Sequence, residues 1–184
     1  MISKSFFSRL APPPGLLRLA PLFGFLLLAG ASSSCTDPVF DAQVEALGDE
    51  APGIAEGPLH RGGQPCVLCH SKYGPASDHV FVVGGTIYES ADAKTLPAAG
   101  VEVLIVDSGG NSPATNPVTN EKGNFFVRPG DWSGVPRFPM RVAIARGSQS
   151  LAMASHIGRD GSCATCHRAP GKRAEVTNIV WVHL

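Results

Sequence analysis

Two five-residue stretches in this 184-residue chain combine residues able to do chemistry: Cys66-Val67-Leu68-Cys69-His70 and Cys163-Ala164-Thr165-Cys166-His167. Two thiols set two residues apart and followed at once by an imidazole suit covalent attachment of haem. Each sulfur adds across one vinyl group, the two intervening residues set the reach between the vinyls, and the histidine lies beneath the porphyrin to ligate iron. Zinc would take four thiolates from two Cys-x-x-Cys pairs, and disulfides would form in an oxidising compartment, yet neither needs a histidine after both pairs. A redox-active Cys-x-x-Cys usually opens a helix in a βαβ unit, and no such pattern surrounds these pairs. The expected cofactors are therefore two haems c. Cys66, Cys69, Cys163 and Cys166 are the thioether residues, and His70 and His167 are the proximal iron ligands.

A weak internal repeat precedes the motifs. His60 stands six residues before Cys66 and His156 seven before Cys163, each with a glycine two residues on. In this the chain resembles multihaem c-type cytochromes, whose paired histidines complete six-coordinate iron; imidazole on both sides implies a lower potential than His/Met ligation. His156 and His60, then His79 and His183, are the distal candidates, each set against a solvated surface histidine. The spacing does not say which serves which haem. Met140 and Met153 are rival sulfur ligands, set against core filling. Phe81, Phe125, Phe126 and Trp181 read as core before they read as an electron path.

The fifth cysteine lies at the end of a leader. Lys4, Arg9 and Arg18 are the only charges of this leader; its stretch from Leu16 to Gly30 is nearly wholly apolar, and the small residues Ala31 to Ser34 follow. A basic start, an apolar run and a small-residue exit describe a secretory signal peptide over residues 1–34. The run is short for a membrane span, which takes about 20 apolar residues. Cys35 directly after it resembles a bacterial lipoprotein site, although Ser32 stands where that pattern has a leucine-like residue. The resemblance implies lipidation at Cys35. With Thr36 rather than aspartate next, it also implies an outer-membrane or cell-surface address, or the periplasm if cleavage leaves no lipid. Removing the three leader cations from 15 basic residues leaves 12 against 15 acidic, a net of about −3. That charge disfavours a nucleic-acid partner, which takes a basic face. It leaves redox proteins and, through the lipid, a membrane.

The elements that must position the motifs are read as strands. Residues 35–58 are poor in large apolar residues and read as a flexible tether with a helical turn near Phe40 to Leu47. His79 to Tyr88 is a β-branched and aromatic run in which Gly84-Gly85 marks a bulge or a close backbone approach. Val101 to Val106, Pro117 to Thr119, Phe125 to Val127, Met140 to Ala145 and a closing run from Val176 to Val182 are further strands. Turns at Asp107 to Ser112, Asn120 to Asn124 and Arg146 to Ser148 separate them.

Gly85-Thr86-Ile87-Tyr88, Ala99-Gly100-Val101-Glu102-Val103 and Thr119 through Phe125 resemble the carboxypeptidase regulatory-like domain, with Asn120 where that family often has aspartate. The resemblance covers roughly residues 80 to 146 and implies a prealbumin-like (Ig-like) β-sandwich, a fold that says little about function. The expected organisation is mainly β. A first haem-binding segment (59–78), the sandwich (79–155), a second haem-binding segment (156–172) and the closing strand (173–184) follow the tether. Because one motif precedes the opening strand and the other the closing strand, the two are expected at one pole. The expected role is exported electron transfer, with no catalytic constellation in the chain. Alternatives are a haem enzyme or sensor with an open iron, and a cell-surface binding module whose Cys-His sites hold metal or disulfides.

Overall fold

Short β-branched and aromatic runs, set apart by Asn, Gly and Pro turns, form five short antiparallel strands in the computed structural model, which describes residues 37–89 and 96–167. They are β1 (Val83–Thr86), β2 (Glu102–Val106), β3 (Asn124–Val127), β4 (Arg141–Arg146) and β5 (Gln149–Ala152). Three short helices accompany them: α1 (Pro38–Glu45), α2 (Cys66–Cys69) and α3 (Cys163–Cys166). The described chain is thus β-rich with little helix. The leader, Cys35, His183 and the expected closing strand lie outside the described residues. Among those described, no helix is long and apolar enough to cross a membrane.

The strands make two small sheets. β1 pairs with β3, Gly84 opposite Phe126 and Gly85 opposite Phe125. β2, β4 and β5 form the other, with β4 in the middle. One buried cluster takes residues from both: Val83, Phe125 and Val127 from the first, Val103, Ile105 and Ile144 from the second. Burial alternates along β2, as expected where one face meets a core.

Two elements are shorter than the sequence suggests. The strand expected from His79 begins only at Val83, because Ser77–His79 is a 3-10 turn and the Phe81 N–H donates to the His70 carbonyl at 2.8 Å. The strand expected at Pro117 to Thr119 is an isolated bridge of Val118 to Glu102, its backbone serving Val103 and Val101 at the start of β2. The Asn120 turn forms as read: its Oδ1 accepts the N–H groups of Lys122 and Asn124, and Gly123 takes φ 72°.

α1 sits within the expected tether. It is capped by the Asp37 carboxylate, which accepts the N–H groups of Val39 and Phe40. Downstream, the Gly48 carbonyl and the Glu50 carboxylate engage Arg61.

Candidate functional site

Each Cys-x-x-Cys closes one turn of helix, which puts its two thiols three residues apart on one face. The following histidine caps the turn: His70 N–H donates to Cys66 O and His167 N–H to Cys163 O. All four described cysteines are free thiols.

The two turns lie against β1 and against each other. The glycine pair in that strand makes room for them. A Cβ on Gly84 would stand 3.1 Å from Cys66 Cβ, and one on Gly85 would stand 2.7 Å from Cys163 Cβ and 2.8 Å from its Sγ. Gly84 N–H donates to Gly161 O at 3.0 Å, and Gly84 bridges Ser162 in parallel. The Ser162 hydroxyl, at the start of α3, accepts the Val67 N–H of α2 at 2.9 Å. The juxtaposition of Cys66 and Cys163 expected from the order of the elements is therefore present.

Burial acts on the thiols of Cys66, Cys69 and Cys163. Burial pushes the Cys66 thiol up to about 11, with Cys69 and Asp160 adding to the effect against its backbone hydrogen bond. Cys163 is pushed up to about 12, again mainly by burial, with Cys66 and Asp160 adding negative charge. Burial also raises Cys69, against the opposing Arg61 charge. These groups are thiols at neutral pH, unlike the low-pKa thiolate of a redox-active Cys-x-x-Cys.

His70 is buried and held at one edge. Its Nδ1 lies 2.8 Å from the His79 carbonyl, which can only accept, so Nδ1 carries the proton. Burial lowers the His70 pKa. The hydrogen bond to His79 opposes that, and the positive charges of His60, His79 and Arg128 reinforce it. A neutral ring protonated at Nδ1 presents its lone pair at Nε2, the state in which a histidine binds metal. One ring contact is with Phe81 (centroids 4.0 Å apart), which stacks on Phe126 at 4.5 Å. The other is with His60, at 5.8 Å and 26° between planes. Of the aromatic residues read as core, Phe125 is core, Phe81 and Phe126 form this column, and Trp181 lies outside the described residues.

The second motif borders a cavity of about 550 Å³. Among the described residues, Cys163, Cys166 and His167 line it on one side and Phe125, Val103 and Ile144 form an apolar wall. His156 and Met153 also line it. Met140 is instead fully buried in the core. The His79 ring is exposed, its carbonyl serving His70. Among the described residues no cluster of three or more His, Cys, Asp or Glu side chains is arranged to hold a bare metal ion.

Several positioning residues escaped the sequence reading. Asp160 Oδ1 accepts Ser162 N–H and its Oδ2 accepts the Thr165 hydroxyl, so it ties the segment before α3 to that helical turn. Thr86 and Asn124, paired across β1 and β3, hold the segment that carries His60. No local pattern marks that role. Compared with known proteins, the chain matches no family model, no curated protein and no solved structure.

Proposed function

We propose that this protein is an exported dihaem c-type cytochrome that works in electron transfer. The carrying observation is the Val67 N–H to Ser162 Oγ contact of 2.9 Å, which makes the two Cys-x-x-Cys-His turns one unit across Gly84-Gly85. The residues suit a covalently held porphyrin. Each thiol pair occupies one helical turn with its histidine next, and His70 is neutral with Nδ1 engaged by the His79 carbonyl. Beside the second motif there is an apolar cavity of a size that takes a cofactor-sized ligand.

Cys66 and Cys69 would hold one haem with His70 as an iron ligand, and Cys163 and Cys166 would hold the other with His167. The haems supply iron that alternates between Fe(III) and Fe(II). The chain orients the imidazoles, limits water and sets the potentials. Two sheets sharing one core support the finer assignment of a prealbumin-like sandwich with carboxypeptidase regulatory-like character. In the same reading Cys35 carries lipid after export, the protein sits in the periplasm or on an outer membrane or cell surface, and its partners are redox proteins. It is a carrier rather than an enzyme.

The test is expression of the whole chain in a host with haem-attachment machinery. A pyridine haemochrome spectrum should count two haems per chain, and mass spectrometry should show the same addition. Trypsin separates the motifs, since Arg61 and Lys72 bracket the first and Arg159 and Arg168 the second. An unmodified mass would overturn the proposal. The cavity beside His167 favours one second reading, an iron left open there for a small molecule. Carbon monoxide binding at the second haem alone would select it.

A further inference from the structure

We infer that His60 is the second axial ligand of the iron held at Cys66–His70, and that the buried Thr86–Asn124 pair is the device that positions it; this rests on the dihaem reading. Three observations carry it. The His60 ring is the histidine beside His70, with centroids 5.8 Å apart. Its backbone is clamped, although the segment has no regular secondary structure. Asn124 Nδ2 donates to the His60 carbonyl at 2.9 Å and to Pro58 O at 3.2 Å. Asn124 Oδ1 accepts the Thr86 hydroxyl at 2.7 Å, and Thr86 Oγ1 accepts Gly63 N–H at 2.8 Å. Asn120 adds a bond to Pro58 O at 2.7 Å. Thr86 and Asn124 are 7% and 9% exposed, so the clamp is built from buried groups that need these partners.

The other two described distal candidates have other places. His79 holds the Nδ1 edge of His70, the edge away from the iron-binding nitrogen. His156 lines the cavity of the other motif. The histidine six residues before Cys66 therefore serves its own motif, the choice that spacing leaves open. His60 would hold that iron through a lone pair of an imidazole nitrogen, with no change of oxidation state. Clamping the loop beforehand removes most of the ordering cost of that step.

The experiment uses the full chain with Cys163→Ser and Cys166→Ser, matured to carry the first haem only. Reduced and exposed to carbon monoxide, this parent should stay low spin and refuse the gas. His60→Ala should bind carbon monoxide stoichiometrically, and added imidazole should return its low-spin spectrum. His156→Ala should behave as the parent. Asn124→Ala should admit carbon monoxide, more slowly than His60→Ala, while Thr86→Ser, which keeps the hydroxyl, should not. His60→Met gives a second readout should His60→Ala fail to accumulate: a methionine at a ligand position raises the midpoint potential, and at a bystander position leaves it. A parent that takes up carbon monoxide as it stands would overturn the inference. So would a His60→Ala protein that refuses the gas, or a His60→Met protein of unchanged potential. An unsubstituted chain carrying no haem would instead overturn the dihaem reading.

Discussion

The hydroxyl of Ser162 caps a helix to which it does not belong. It accepts the Val67 N–H at 2.9 Å, satisfying an N-terminal donor of the Cys66–Cys69 turn, although Ser162 itself stands at the start of the Cys163–Cys166 turn. A four-residue helix has few internal bonds, so one cap is a large share of what holds it.

Ser162→Ala should therefore act on the first motif. Loss of an N-cap oxygen costs about 0.5–2 kcal/mol, readable as a lower urea midpoint with unchanged slope. Hydrogen exchange at the Val67 amide should accelerate, and Ser162→Thr should restore its protection. Exchange that rises only at the second motif would show that the bond across the two turns does not form in solution.

The glycine pair gives an ordered comparison. Gly85→Ala sets a methyl 2.7 Å from Cys163 Cβ and 3.2 Å from Phe125 Cε1, whereas Gly84→Ala meets Cys66 Cβ at 3.1 Å. Overpacking of the first kind costs about 1–3 kcal/mol. The melting temperature should fall further for Gly85→Ala than for Gly84→Ala, and the reverse order would mean that the turns do not approach β1 in this way.

These positions also mark what the sequence could and could not reveal. The motifs were legible because their chemistry is complete within five residues. Gly84-Gly85 was legible as a close approach, because glycine inside a β-branched run rarely has another reason; what approaches was not. The Asn120 to Asn124 turn was readable since Asn and Gly supply its geometry locally. The strand expected from His79 was overlong because Phe81 is apolar for another purpose, stacking on His70. Spacing made His60 a candidate ligand, but its place beside His70 was not legible. It depends on Thr86 and Asn124, 38 residues apart and joined only by the register of β1 and β3.

Met140 separates core filling from ligation. It is fully buried and exchanges two backbone hydrogen bonds with Ile157, at 2.9 and 2.8 Å. Met140→Ala should lose about 2–5 kcal/mol of stability, as large-to-small core substitutions do. In the proposed dihaem form, the spectrum and both midpoint potentials should stay unchanged. A potential that fell with the substitution would place its sulfur on an iron instead.

Asp107 should give the fold an acid limit. Its side chain is buried at the end of β2, and burial alone would raise its pKa. The backbone N–H and side chain of Asn111, and the N–H groups of Gly109 and Arg137, outweigh burial and hold the carboxyl below its ordinary range. A pKa lower in the folded than in the unfolded chain means that the unfolded state binds the proton first as pH falls. The stabilisation is therefore complete above the unfolded value of about 3.9 and is lost as pH drops through the lower folded value. Urea midpoints measured from pH 6 downward should fall more steeply with acid in the native sequence than in Asp107→Asn, which keeps an acceptor oxygen but cannot ionise. Parallel curves for the two proteins would show that this carboxylate contributes nothing to the acid limit.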